Sequence, residues 1–398
     1  MIAVAVAGCG TIPGKPEPQR IHPEDFDVAP YSVEPLEVPA NDNERYGRVV
    51  ESARMIEALV DPAQVDPALI EPVNPTHLAP LPTPVKAAAV LANPVGAVLE
   101  RHGMLAGAMV ARADKENGRT TRVGELRALS VIVLRFPDTA TAEQAARDID
   151  SADFAVSSDN VAAPIPNHPA AQSHWRPGVP SLAASLAHES YVISLLIAHT
   201  APDLPAMTEL AGKTFTAQTN RLRDFPQTPR AQLAGLPLDQ HGMVRLLVPP
   251  APSRWSYPTV TGLDVDSNAG WESPLMVTGV VYGPHGAGLS SSSRRSTEFL
   301  AINGLERLAR YRDTEAAGAA FTANKQRDIE IDLQSIEVPA ELGAGVWCAE
   351  DPGSKGLALD RYSCRIQHGR YFATVFARTE KGILRRAAIQ VGLLANGG

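Results

Sequence analysis

Apolar residues recur at helical spacing through Val49, Ala53, Ile56 and Val60, behind an Asn-x-x-Glu capping box formed by Asn41 and Glu44. The pattern predicts an amphipathic helix that stops before Asp61-Pro62. The segment to Pro84 is Pro-rich, and Asp66-Pro67, Glu71-Pro72 and Asn74-Pro75 each bias it toward extended or turn conformation. From Val85 to Met104 the spacing is helical again, with Gly103 as the stop. Two apolar runs, Leu105–Ala111 and Leu129–Phe136, then flank a polar stretch containing Asn117-Gly118, which predicts a β-hairpin. A second capping box, Thr141-x-x-Gln144, opens a helix with Ala142, Ala145, Ala146 and Ile149 on one face. Tyr191–Ala198 reads as a buried strand, and Asp203 with Pro205 starts a helix carrying Met207, Leu210, Ala211, Phe215 and Leu222.

Residues 226–258 form a Pro-rich connection, within which Met243–Val248 reads as a strand. Leu275–Tyr282 is a further strand and Ser296–Leu305 reads as a helix. The order of elements then repeats. Leu308–Thr314 before an Ala-rich helix parallels Val133–Thr139 before its own, at an offset of 175 residues. Gln367–Ala377 parallels Ala187–Ile197 at an offset of 180, with Trp175 and Trp347 in comparable places before those strands. His188 and His368 stand where the strands begin, a position that suits a turn better than a ligand. A closing helix from Gly382 buries Leu384, Ala387, Val391 and Leu394 on one face. The chain is therefore read as α+β, with two tandem, duplicated α/β sandwich domains of mainly antiparallel sheet at 41–225 and 259–398.

Composition narrows the partners. In 398 residues, 44% hydrophobic content is ample for packed cores, and a net charge of -8 carries no basic stripe of the kind a phosphate backbone requires. Nucleic acid is therefore not an expected partner. No stretch reaches 18 consecutive apolar residues, so attachment to a membrane has to come from a lipid.

Val6-Ala7-Gly8-Cys9 supplies one. A branched apolar residue, two small residues and a cysteine after an apolar run form a bacterial lipobox, with residues 1–9 the signal remnant and Cys9 the lipid attachment site. A secretory signal needs a basic n-region, and the eight residues before Cys9 hold no Lys or Arg, so a start upstream of Met1 is expected. Residues 10–40, rich in Pro, Glu and Asp, read as a tether or a wrapped extended arm. With Cys9 lipidated, the remaining cysteines, Cys348 and Cys364, form one disulfide pair in an oxidising compartment.

The polar motifs fail their own spacing tests. Asp264-Val265-Asp266-Ser267-Asn268 begins like a calcium loop, but Ala269 replaces the turn glycine and Leu275 the bidentate glutamate. Gly212-Lys213-Thr214 resembles the end of a phosphate loop, yet Met207 stands where its first glycine belongs. The stretch from Gly283 to Ser293, with His285, Gly286, Gly288 and Ser290, is a candidate binding loop; it lacks the Gly-x-Ser-x-Gly spacing of a nucleophile elbow. No metal or cofactor motif is present, and neither is expected.

The lipobox, Gly47–Met55, Val65-Asp66-Pro67 and Leu134–Asp138 together resemble a family of uncharacterised actinomycete lipoproteins of mycobacteria and their relatives. That resemblance implies a two-domain layout and carries no assigned activity. The C-terminal half, through Tyr311-Arg312-Asp313, Trp347-Cys348 and Cys364, is distantly similar to exported sensor modules of actinomycete receptor kinases, which implies extracytoplasmic binding. The expected protein is a lipid-anchored, non-enzymatic envelope protein on the outer face of the cell membrane. Its ligand would be a small molecule, lipid, glycan or protein. A cell-envelope hydrolase assembled from distant loops is the alternative.

Overall fold

The computed structural model describes residues 27–117, 122–262, 274–290, 297–354 and 360–398. Cys9, Gly118, the Asp264–Asn268 stretch and Ser291 to Ser293 lie outside the described residues. The N-terminal half contains α1 (Glu44–Met55), α2 (Pro62–Val65), β1 (Glu71–Pro72), β2 (Leu78–Pro80), α3 (Pro84–Ala88), α4 (Val95–Arg101), β3 (Ala106–Ala113), β4 (Ala128–Arg135), α5 (Thr139–Phe154), β5 (Val161–Ala162), β6 (Gln172–Trp175), β7 (Ser181–His188), β8 (Tyr191–Ala198) and α6 (Leu204–Leu222). The C-terminal half contains β9 (Thr259–Gly262), β10 (Leu275–Tyr282), α7 (Pro284–Leu289), β11 (Thr297–Asn303), β12 (Glu306–Tyr311), α8 (Thr314–Glu330), β13 (Gln334–Ser335), β14 (Val346–Glu350), β15 (Tyr362–His368), β16 (Tyr371–Ala377) and α9 (Glu380–Gly397).

Several boundaries differ from the sequence pattern, each for a local reason. Asn43 rather than Asn41 caps α1, because the Asn41 amide donates to Leu236 O at 2.9 Å and so holds the connecting segment instead. Asp138 rather than Thr141 caps α5, its carboxylate accepting from Thr141 N at 2.8 Å. The single helix expected from Val85 to Met104 is two, the first ending at Ala88 and the second starting at Val95 behind Pro94, which occupies its N-cap and, lacking an N–H, suits a helix start rather than an interior. Met243–Val248 is not a strand but a 3₁₀ turn at Val244–Leu246. The Asp239 carboxylate accepts from Met243 N, Val244 N and Arg245 N at 2.8, 2.9 and 3.0 Å, which takes up donors that a ladder would need. Ser296–Leu305 is not a helix. Thr297–Asn303 pairs with β10 on one side and β12 on the other, so tertiary pairing overrides the local pattern.

Both sheets are antiparallel throughout their described ladders and share one strand order. The first runs β3-β4-β8-β7-β6-β5 and the second β11-β12-β16-β15-β14-β13, with β2 added to β3 and β10 to β11. The correspondence extends to details. Asp138 and Asp313 cap α5 and α8 with nearly the same backbone angles and each accepts from an N–H three residues on. His188 pairs with Tyr191 and His368 with Tyr371 across tight turns that begin at Glu189 and Gly369, with φ of 51° and 53°. Trp175 and Trp347 lie on the equivalent strands β6 and β14. The fold is a tandem repeat of one α+β unit.

The two units are not separate beads. One apolar cluster joins Val49, Ile56 and Leu59 of the first half and Phe215 of α6 to Val277, Val280, Tyr282, Leu289 and Ile302 of the second. Residues 27–40 pack on the rest of the chain, Val28 and Val33 being buried with Leu246, Ile389 and Leu393, and Leu36 and Val38 lying against Leu238, Val244 and Trp255; this part of the expected tether is a wrapped arm. On β10, Gly279 takes φ +66° at a bulge, and a side chain there would meet Ser256 O at 2.3 Å, so only glycine lets the connecting segment pass so close.

Cys348 and Cys364 face each other in register across β14 and β15, fully buried beneath α9, and their sulfurs are joined. Because the bridge closes a loop of about 15 residues, replacing both by alanine is expected to lower stability by about 3 kcal/mol. Urea unfolding followed by tryptophan fluorescence measures this. An unchanged midpoint would show that the pair is only packed.

Candidate functional site

The C-terminal sheet has two faces that end differently. Along β12, Glu306 and Leu308 point to α9, where Glu306 accepts from Arg386 Nε at 2.9 Å. Arg307, Ala309 and Tyr311 point the other way, as strand alternation requires. On that face α8 covers Ala309, Tyr311 and Phe372, with Ala317 and Ala320 against them. It does not reach the β10–β11 end.

The N-terminal half shows what is missing. There α3 and α4 lie beside α5, and Ala87, Val90, Val95, Val98 and Leu99 pack on Met109, Ala111 and Ile132. Those two helices sit within the connection from β2 to β3, which spans 81–105, whereas β10 and β11 are joined by 283–296 only. The shorter connection leaves a cavity of about 520 Å³, within the range of small-molecule pockets. Leu275, Val277, Leu300 and Ile302 form its apolar wall, Thr76 and His77 reach it from the N-terminal half, and Arg307, Arg327, Asn324 and Tyr282 add polar groups.

His77 Nε2 lies 3.2 Å from Ser290 O, across the junction of the halves. Burial, together with the charges of Arg112 and Arg307, pushes its pKa down to about 4, so the ring is neutral at pH 7. Burial also holds Tyr282 well above the ordinary phenol range and Arg307 below the ordinary guanidinium range. Neither group has a carboxylate partner within ion-pair distance among the described residues.

The described part of the segment singled out as a candidate loop, 283–290, holds the helix α7, and it serves the junction. His285 N and Gly286 N donate to the two Glu57 carboxylate oxygens at 3.0 and 2.7 Å. His285 Nε2 lies 2.7 Å from Leu59 O, a contact that requires the ring to donate. At the other end Arg112 donates to Leu289 O at 3.2 Å while its Nε pairs with Asp61 at 2.9 Å. The Ser290 hydroxyl donates to Ala287 O at 2.7 Å. His285 and Ser290 are thus engaged with backbone carbonyls and form no catalytic pair; Gly286 receives the Glu57 carboxylate and Gly288 meets nothing within 4 Å of where a Cβ would be. Ala287 and Ser290 do line the cavity, so the segment adjoins the site without supplying its charge. Among the described residues no group of three or more His, Cys, Asp or Glu gathers to hold a metal.

Sequence reasoning missed Arg307, Tyr282, His77 and Arg327. Arg307 had one signal: it precedes the Leu308–Thr314 stretch that parallels the strand end at Val133–Thr139, and extending that strand back by alternation puts Arg307 on the face of Ala309 and Tyr311.

Residues 38–238 match the N-terminal profile, and residues 263–397 the C-terminal profile, of a domain of unknown function, DUF7373. A comparison with curated proteins gives no match. Among solved structures, the extracellular domain of PknH from Mycobacterium tuberculosis is similar over 42% of this chain and 93% of that one, at 10% identity and a TM-score of 0.28.

Proposed function

The chain belongs to the DUF7373 family, and we propose that it is an extracytoplasmic, lipid-anchored envelope protein that binds a small ligand, without chemistry, in the cavity between its halves. The observation that carries this reading is the cavity itself. The second unit lacks a helical layer that the first one has, and the sheet face that lines the cavity is apolar with a few polar groups, the usual composition of a ligand site. The lipobox ending at Cys9 supports the anchor. No helix among the described residues is long and apolar enough to cross a membrane.

Native mass spectrometry of the protein extracted from its own envelope tests both parts. The expected spectrum shows a diacylglyceryl-modified chain beginning at Cys9 and a bound species that is lost in Ile302→Trp, whose indole fills the cavity. An Ile302→Trp protein that keeps the bound species ends the cavity reading. A Cys9→Ala protein that still fractionates with the membrane ends the anchor reading.

A further inference from the structure

The cavity has an unbalanced charge. Arg307 and Arg327 line it, no Asp or Glu does so among the described residues, and His77 is neutral at pH 7. The neighbouring carboxylate, Glu306, is turned to the opposite face of the sheet and held by Arg386. One end of the Arg307 guanidinium is held, with Nη1 donating to Glu306 O at 3.0 Å and to Gly304 O. Its Nε and Nη2 find no acceptor among the described residues. A partly buried guanidinium with free donors and no carboxylate in ion-pair contact among the described residues is a place that an anion stabilises. It also presents donors in the planar arrangement that suits a carboxylate or phosphate.

The remaining wall asks for something else. Leu275, Val277, Leu300, Ile302 and Phe372 offer no hydrogen-bonding side chain over a continuous stretch of sheet. The volume sets a limit as well. A methylene takes about as much room as a water molecule, about 30 Å³. A single chain of roughly a dozen carbons with an acid head is therefore of a size with the 520 Å³ cavity.

We infer that the cavity takes a single-chain anionic amphiphile, with its carboxylate or phosphate on Arg307 and its chain along the Leu300 and Ile302 wall. This rests on the ligand-binding reading of the same cavity. Arg327, on the last turn of α8, adds charge at the rim. His77 contributes a neutral ring.

Isothermal titration calorimetry of the whole chain with laurate, dodecyl phosphate, dodecanol and dodecyltrimethylammonium tests the inference. Both anions are expected to bind, and the alcohol and the cation to bind at least about tenfold more weakly. Arg307→Gln is expected to bring the anions down to the affinity of the alcohol, while Arg307→Lys keeps most of the preference. Arg327→Gln, on an exposed helix position, gives a smaller loss and serves as the reading if Arg307→Gln does not fold. A preference between laurate and dodecyl phosphate identifies the head group. Equal affinity for alcohol and anions, or anion binding unchanged by both arginine variants, overturns the anionic assignment and leaves the cavity reading standing. Failure of all four probes to bind overturns the amphiphile, and the native mass spectrum then decides whether the cavity binds anything.

Discussion

Replacing Glu51 by alanine is expected to lower unfolding stability by about 3–5 kcal/mol, the range for breaking one side of a buried ion pair. Glu51 is fully buried on α1. One of its oxygens accepts from Arg135 at 2.7 Å and from Thr228 N at 2.9 Å; the other accepts from the Thr228 hydroxyl at 2.7 Å and from Arg54. Arg135, at 4% exposure, has no other carboxylate among the described residues, so truncating Glu51 strands a buried charge as well as two donors of Thr228. The cluster also pins the start of the 226–258 connection to the first half, through Arg135 donating to Thr228 O at 2.6 Å. Urea unfolding of Glu51→Ala measures the loss. A companion double variant, Glu51→Leu with Arg135→Met, is expected to lose much less, since the buried Arg135 charge goes with its partner and Arg54, whose side chain is 29% exposed, still reaches water. If the single variant loses under about 1 kcal/mol, the cluster is not the anchor described.

Gly286→Val is expected to open the junction between the halves and to reduce stability by about 1–3 kcal/mol, as overpacking does. A side chain at this position would place its Cβ 2.7 Å from the Ile56 side chain and 2.9 Å from a Glu57 oxygen. Either α7 or the Ile56–Ala58 turn has to withdraw. Glu57→Ala removes the acceptor from the other side, leaving His285 N and Gly286 N without a partner, and is expected to give a loss of similar size. Hydrogen exchange read by mass spectrometry should show lost protection in both 56–60 and 284–290 for each variant. Protection lost in only one of the two segments, or in neither, would mean that the halves hold together without this contact. The result also separates a structural role for the segment from a ligand role, because the cavity probes should still bind when only Glu57 is changed.

Local patterning was enough for most elements of the repeat. The apolar runs Leu275–Tyr282 and Tyr191–Ala198, and the cap and proline at Asp203 and Pro205, are short-range signals, and the elements formed there as read. The duplication was legible for the same reason: a strand ending at Arg-Phe-Pro-Asp or Arg-Tyr-Arg-Asp before an Ala-rich helix is a local event, and it recurs. The same reasoning reached the cysteine pair, by arithmetic rather than by geometry. It failed where the deciding partner is distant in sequence or outside the regular elements. Thr297–Asn303 became a strand because β10 and β12 flank it, and Met243–Val248 was denied one because Asp239 claims its amides. The site lay furthest from view. Its cavity exists because a helical layer present in one repeat is missing from the other, and its charge comes from Arg307 on a strand face whose direction only the assembled sheet defines. Sequence alone determined the repeated α+β unit, the staple between Cys348 and Cys364 and the expectation of an anchor at Cys9. The tertiary structure decided which side of the second sheet stays uncovered and which arginine faces it, because both depend on contacts between segments that the chain brings together only on folding.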